Sequence, residues 1–428
     1  QSLQDTAMAI SVLSSDTIDR RNLVGMGDYL STLPGVTALD QGPGFNSIVI
    51  RGLAAKPQSE GSNSSPVTGV YFGETAISGF GITGNSADIK LVDMERIEVL
   101  KGPQGTLYGA GAMGGVVRNI PTAPNLKQIE GKLQAGYSST GGEGDDNTAI
   151  KGVVNIPLIE DVLAVRAVAY QFDNSGYYKN IAGVNSQTQL SVTDFSATAV
   201  NRDDVGSNEV TGARISALWQ PTDLLSVNLS YLTQDTEQTG WGQADLDLAG
   251  GFSQARLGVR TNTTFPTYGE PDQQEGLTDD IDITSLTIEY DLDWATVTST
   301  TSLVNEDSQI NRDLSVIFGS GYPFAQIIGY SADLFSEEVR LTSDIDGPWS
   351  FLVGLYYEEK ETGFDSLGVF GGADPALNGG AIFIQRRIDD RELTQQALFG
   401  ELSYNVSDDV KFTVGARAFD YDRDFSTT

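Results

Sequence analysis

The segment Arg96–Ile120 reads RIEVLKGPQGTLYGAGAMGGVVRNI and holds six glycines between Gly102 and Gly115. Gly109, Gly111 and Gly114 spell G-x-G-x-x-G, the spacing of a loop that cradles phosphates, and Val116 extends the match to G-x-G-x-x-G-x-V. A dinucleotide loop must follow a strand and open a helix. RIEVL suits a strand, but Gly115 is followed by VVRNIPTAP, β-branched and then interrupted by Pro121 and Pro124. No helix is expected there to turn its positive end toward a phosphate. A kinase-type loop also needs a catalytic-loop histidine, and the chain has none. The glycines therefore read as tight turns and close backbone packing in a confined space.

The bulk composition narrows the function further. The 428 residues include 26 Lys+Arg and 58 Asp+Glu, a net charge of −32. Such acidity argues against a nucleic-acid partner, because phosphate binding needs a basic face. It is compatible with acidic surface loops, cation-rich surroundings or plain solubility. The absence of cysteine excludes disulfides, zinc thiolates and a Cys nucleophile. The absence of histidine excludes the Ser-His-Asp triad, HExxH metal sites and a His general base. A carboxylate-only glycosidase would need two acids flanking one bond. Glu337-Glu338 and Glu358-Glu359 are adjacent pairs, and strand neighbours point to opposite faces. The reading is therefore not an enzyme, with no catalytic residue, metal ligand or cofactor expected. Gln1–Leu13 lacks the basic and apolar regions of a signal peptide. No apolar run reaches the roughly 18 residues of a membrane helix, a test to which β-barrels are blind.

The chain has two grammars. Residues 1–125 read as a compact mixed domain. AMAISVLSSDTI starts as a strand and runs into a helix, with Ser15 or Asp16 as N-cap. Leu23, Met26 and Leu30 continue at helical spacing, and Pro34-Gly35 is the stop. SIVIRGL, GVYFGETAI and MERIEVLKG then read as short strands. From about residue 130, segments of roughly ten residues alternate apolar and polar. Leu225, Val227, Leu229 and Tyr231 share one face, against Ser226, Asn228 and Ser230 on the other. Leu398, Leu402 and Tyr404 likewise oppose Phe399, Glu401 and Ser403. Eleven such segments are expected, near 131–140, 148–157, 162–173, 209–220, 224–235, 282–291, 294–305, 333–343, 349–361, 393–406 and 410–421. Short turns (PLIED, PTD, DLD, DIDGP, VSDD) alternate with long polar connections near 174–208, 236–281, 306–332 and 362–392. Soluble sandwiches rarely keep such loops, whereas outer-membrane barrels place short turns on the periplasmic side and long loops outside. Because lipid offers no hydrogen bonds, a membrane sheet must close on itself.

At this point VLKGPQGTLYGAGAMGGVVRNIPTAP resembles the end of the plug domain of TonB-dependent outer-membrane receptors. LQDTAMAISVLSSDTI, GDYLSTLPGV, SIVIRGL, VYFGETAI and MERIEVLKGPQG match in order, and FSEEVRLTS and LFGELSYNVSDDVKFTVGARAFDYD resemble the family's barrel. The plug motif residues are Gly52, Gly102, Pro103, Gly105, Tyr108, Gly109, Gly114 and Gly115.

The resemblance implies an all-β transmembrane barrel with an N-terminal mixed α+β plug in its lumen. It implies a plug over residues 1–125 and barrel over 126–428, about half of the roughly 22 strands of plugged transporters. Eleven strands are read as a barrel incomplete at the C-terminus, truncated or completed by another chain. The implied location is the bacterial outer membrane. The implied function is active import of a scarce ligand (ferric siderophore, cobalamin or glycan), driven by the TonB energy-transducing complex of the inner membrane. Implied partners are that complex, outer-membrane lipid and a small-molecule or glycan ligand. A plugged barrel serving as structural anchor among other outer-membrane subunits is the alternative. No energy-coupling box is visible before LQDTAMAIS; the resemblance implies one just upstream, a receptor lacking it being the alternative. Ligand contacts are expected near residues 56–65 and 79–86. The family also pairs two plug arginines with barrel glutamates. By motif these positions are Arg51 and Lys101, with Glu401 inward by alternation. Lysine lacks arginine's planar fork, which would weaken such a latch.

Overall fold

The computed structural model describes residues 9–39, 47–53, 66–79, 87–142, 144–180, 202–241, 253–254, 275–313, 324–370, 384–407 and 410–428. The N-terminal part contains β1 (Ala9–Ser14), α1 (Ser15–Arg20), α2 (Met26–Leu30), β2 (Val36–Leu39), β3 (Ser47–Ile50), β4 (Thr68–Phe72) and β5 (Thr75–Ala76). It continues through β6 (Met94–Lys101), α3 (Gly105–Tyr108), a 3-10 turn at Ala110–Ala112 and β7 (Gly115–Pro121). The sheet order is β1-β6-β7-β4-β5, with β4 and β7 parallel, while β2 and β3 pair separately.

The helical run expected after residue 14 is two short helices. Asn22 adopts positive φ (49°) and ends the first. The Asp28 carboxylate then accepts the amides of Val24 and Gly25 at 2.8 and 3.0 Å, and Asp88 accepts that of Met26 at 3.0 Å. These carboxylates take up the amides of Gly25 and Met26 at the start of α2. Neither Ser15 nor Asp16 is the N-cap of α1; Ser14 holds that position without a side-chain cap bond. Tyr29, Leu30, Ile50, Val70, Ile97, Val99 and Val117 form a fully buried core. The Tyr29 hydroxyl reaches Asn119 Oδ1 at 3.3 Å.

The remainder is one antiparallel wall. Its strands are β8 (Glu130–Ser139), β9 (Asp146–Ile159), β10 (Leu163–Asn174), β13 (Ser207–Thr222), β14 (Leu225–Thr239) and β16 (Gly276–Asp291). It continues with β17 (Ala295–Asp313), β18 (Phe324–Ser343), β19 (Trp349–Phe370), β20 (Ile384–Ser407) and β21 (Val410–Thr427). Each pairs with the next, and β8 and β21 are the two edges of the eleven-stranded sheet. β11 (Tyr178–Asn180), β12 (Arg202–Val205) and β15 (Ser253–Gln254) make a small sheet within the longer connections. Asp161 and Asp293 take φ of 60° and 69° in the short turns, a backbone that aspartate tolerates.

The wall is inside-out. Leu229, Leu355, Leu398 and Val414 are exposed, while Gln234, Thr300, Ser302, Ser336 and Ser403 are buried on the opposite face. Trp219, Trp294 and Trp349 lie beside the short turns and are exposed, with Trp349 and Tyr404 rings 4.5 Å apart. Phe335 and Tyr357, 6.1 Å apart, start a second aromatic row. On β19, Trp349 and Tyr357 are separated by about 26 Å at the usual strand rise, which matches the apolar band of an outer-membrane barrel. No helix among the described residues is long and apolar enough to cross a membrane; the crossing elements are strands.

The connections differ from expectation. β17 runs to Asp313 and β18 starts at Phe324; β19 runs to Phe370 and β20 starts at Ile384. Much of what the sequence reads as loop near 306–332 and 362–392 is strand, extended beyond the apolar band. There water wets the outward face, so no apolar period marks it.

Candidate functional site at the plug–wall interface

Local sequence sets the shape of the glycine segment. β6 and β7 pair antiparallel, and residues 102–114 form the excursion between them. Gly102 N bonds Gly114 O at 3.0 Å and Gln104 N bonds Ala112 O at 2.8 Å, closing the excursion on itself. A Cβ at Gly115 would stand 2.3 Å from the Leu100 carbonyl oxygen and 2.8 Å from Ile50 Cδ1. Gly109, at φ 79°, lies against the Arg417 guanidinium, 3.5 Å from where its Cβ would be. A strand, β7, begins at Gly115. The glycines serve packing, with Gly109 bringing the excursion against wall strand β21.

Besides the exposed pair Asp19–Lys132, two ionic groups join plug to wall. Asp93 stands just before β6, at φ 56°. Both its carboxylate oxygens are taken by Arg166, from Nη2 at 2.6 Å and Nε at 2.7 Å. Arg214 Nη2 adds a bond of 2.9 Å to the carboxylate and one of 3.0 Å to the Asp93 carbonyl. Arg166 also reaches Glu130 at 2.8 Å. Asp93, Arg166 and Arg214 side chains are 8%, 8% and 3% exposed, so these charges depend on one another rather than on water.

The second group is a chain of alternating charge. Arg96 donates to Glu98 at 2.7 Å, Arg118 to Glu98 at 3.2 Å and to Glu74 at 2.5 Å. Arg340 on the wall donates to Glu74 at 2.7 Å and pairs with Glu338 at 3.2 Å. With Glu95, which also pairs with Arg96, four carboxylates face three guanidiniums. Tyr71 and Tyr108, stacked edge to face at 5.2 Å, pack beside it. Neutral contacts complete the seam. Gln234 bonds the Lys90 amide at 2.9 Å and the Asp88 carbonyl at 3.0 Å, and the Thr75 and Ser302 hydroxyls meet at 2.8 Å. Lys360 donates to the Gly79 carbonyl at 2.6 Å. Leu232, Ile281, Ile283, Val304 and Leu334 turn inward to continue the plug core.

The residues expected to latch the plug lie apart from these groups. Lys101 Nζ donates to the Pro34 carbonyl, within the plug, at 2.7 Å. The Arg51 guanidinium lies beside Gly102. Partial burial and the nearby Arg51 charge hold the Lys101 ammonium below the usual lysine range. Glu401 is on β20, cross-strand from Leu352 and Gly415. Among the described residues no ion pair joins Arg51 or Lys101 to Glu401. The plug–wall bridges Asp93–Arg166, Asp93–Arg214, Glu74–Arg340 and the more exposed Asp19–Lys132 instead run from plug carboxylate to wall cation. Sequence reasoning missed them. The available signal was a lone arginine on the polar face of an apolar strand, in LAVRAVAY and GARISALW. Residues 56–65 and 80–86, expected near a ligand, lie outside the described residues.

Comparison with known proteins gives a consistent result. The family model TonB-dependent Receptor Plug Domain matches residues 2–116, and TonB dependent receptor-like, beta-barrel matches residues 219–428. A probable TonB-dependent siderophore receptor, PirA of Acinetobacter baumannii, is 26% identical over 273 residues, covering 60% of this chain and 34% of its own. The vitamin B12 transporter BtuB of Vibrio vulnificus is 30% identical over 183 residues, covering 40% and 28%. The fold is similar to that of the ferric yersiniabactin uptake receptor FyuA from Yersinia pestis. There the TM-score is 0.72 at 15% identity, over 98% of this chain and 61% of that one. The outer-membrane ferripyoverdine receptor of Pseudomonas aeruginosa gives a TM-score of 0.66 at 15% identity, over 100% and 54%. The chain thus spans about a third of the length of the curated relatives it matches. With plug and barrel matched in order on the fold described above, the chain belongs to the TonB-dependent receptor family, plugged β-barrels of the bacterial outer membrane.

Proposed function

We propose that this protein is a TonB-dependent outer-membrane transporter that imports a scarce ligand such as a ferric siderophore, a cobalamin or a glycan. In this reading residues 1–125 are the gating plug and 126–428 are wall. The inner-membrane TonB complex supplies the pull, through the N-terminal end of the plug. One observation carries the reading. Among the described residues no sheet contains both plug and wall strands. Among the described residues, wall side chains hold the plug through ionic, amide, hydroxyl and apolar contacts, so it can shift without breaking a backbone ladder of either part.

A reversible cross-link tests this. The chain has no cysteine, and the Thr75 and Ser302 hydroxyl oxygens are 2.8 Å apart across the seam. In the full-length receptor carrying Thr75→Cys and Ser302→Cys, oxidation is expected to abolish uptake into cells while surface binding persists. Reduction is expected to restore it. Uptake that continues at the wild-type rate with the disulfide formed removes plug movement from the mechanism. A receptor that shows no TonB-dependent uptake in either state favours a structural anchor.

A further inference from the structure

Across the last four wall strands the outward face changes from polar to apolar in one step. Register sets Glu337, Tyr357, Gln396 and Asp420 in a line across β18, β19, β20 and β21. The next outward line toward the short turns is Val339, Leu355, Leu398 and Ala418. The alternate residues Ser336, Ala397 and Phe399 are buried on the lumen side. Val339, Leu355 and Leu398 are 38%, 59% and 53% exposed, at the outer edge of the apolar band.

A groove of about 690 Å³ lies at this step, and its shape has local causes. Glu337 is drawn toward β17, where its carboxylate accepts the Ser299 hydroxyl at 2.7 Å and the Thr301 hydroxyl. The Tyr357 hydroxyl turns away from the band and donates to Glu359 at 3.2 Å. On β21 the floor holds only the methyl group of Ala418. The rim offers two carboxylates, an amide and a phenol, and no Lys or Arg lines the groove. Charge beyond it has the same sign, with Glu359 and Glu361 outward on β19 and Asp422 and Asp424 outward on β21. Among the described residues of the eleven wall strands, the outward face carries one cation, Arg386. Asp365 holds it, through Nε at 2.9 Å and Nη2 at 2.5 Å.

We infer that this groove holds an outer-leaflet glycolipid, with an acyl chain on the apolar floor and an uncharged sugar head at the polar line. The floor continues the apolar band, so an acyl chain meets it without leaving the hydrocarbon. A phosphate head would meet carboxylates with no cation to hold it. An ammonium would satisfy one carboxylate, but the acceptors are spread over four strands, about 14 Å at the usual strand spacing. Sugar hydroxyls distribute donors along such a line, and the Gln396 amide can both accept and donate. Glu337 is held by two hydroxyls before the lipid arrives, which lowers the ordering cost of binding. The inference concerns the outside of the wall and goes beyond the import reading, which concerns the lumen.

The test uses the full-length receptor, delipidated in detergent, and native mass spectrometry. Three lipids with the same acyl chains are offered in turn: a glucosyl diacylglycerol, a phosphatidylglycerol and a diacyl lipid with a primary-amine head. The glucosyl lipid is expected to stay bound at collision energies that strip the other two. Ala418→Phe, which fills the groove, is expected to lower that retention about tenfold, roughly the burial of two methylene groups. Asp420→Ala removes an acceptor for the sugar and is expected to cost a similar factor. Ala416→Phe, on the same face of β21 but outside the groove, is expected to leave retention unchanged and serves as the folding control. Retention of either other lipid as strongly as the glucosyl lipid overturns the inference. So does glucosyl-lipid retention that Ala418→Phe leaves intact, or that Ala416→Phe lowers equally.

Discussion

At the residue scale, Asp93 decides how the plug is held. One carboxylate satisfies two buried guanidiniums, and removing one partner of such a group typically costs about 3–5 kcal/mol because the others stay buried and unpaired. Asp93→Asn is therefore expected to loosen the plug, measured as a lower plug unfolding temperature and a higher passive conductance in planar bilayers. Conductance equal to that of the wild type would show that the seam does not depend on this charge. Lys101→Ala, which removes a bond to the Pro34 carbonyl within the plug, is expected to leave conductance unchanged. Gly115 makes a different demand. With a Cβ 2.3 Å from the Leu100 oxygen, Gly115→Ala forces β6 and β7 apart and is expected to cost about 3 kcal/mol, read from urea unfolding of the plug. Arg51 and Lys101 stand out in sequence because motifs are local. Asp93 does not, because its partners are 73 and 121 residues away.

At the element scale, the wall strands combine two environments. Between Trp349 and Tyr357 the outward face of β19 is apolar and meets lipid; beyond it the same strand continues with Glu359, Glu361 and Asp365. Val353 lies midway between the aromatic rows. Val353→Arg is expected to destabilise the folded barrel in vesicles by about 2–4 kcal/mol. Gln309→Arg, outward on β17 beyond the band, is expected to change stability by less than about 0.5 kcal/mol. Equal costs at the two sites would mean the band is misplaced. The eleven strands were legible because a lipid-facing strand imposes a strict two-residue period on its sequence. Their outer halves were not, since polar side chains suit both faces of a strand that stands in water. The two helices were read as one run because Leu23, Met26 and Leu30 keep helical spacing across the turn at Asn22. The start of the second helix is fixed by Asp88, which accepts the Met26 amide and is distant in sequence, so a local period does not report it.

At the scale of the whole molecule, charge is sorted. Bulk acidity of −32 reads as one property in the sequence, yet carboxylates dominate the outward face of the outer strand ends while arginines line parts of the lumen. By itself the sequence determined the strand period, the alternation of short and long connections and the non-nucleotide character of the glycine segment, because each depends on neighbours a few residues apart. It also determined the absence of thiol and imidazole chemistry. Only the tertiary structure decided which charges meet across the seam and which arginines share a face of the lumen. Those contacts depend on the register of strands brought together from separate parts of the chain, and a shift of one residue in that register would turn every one of them to the opposite face.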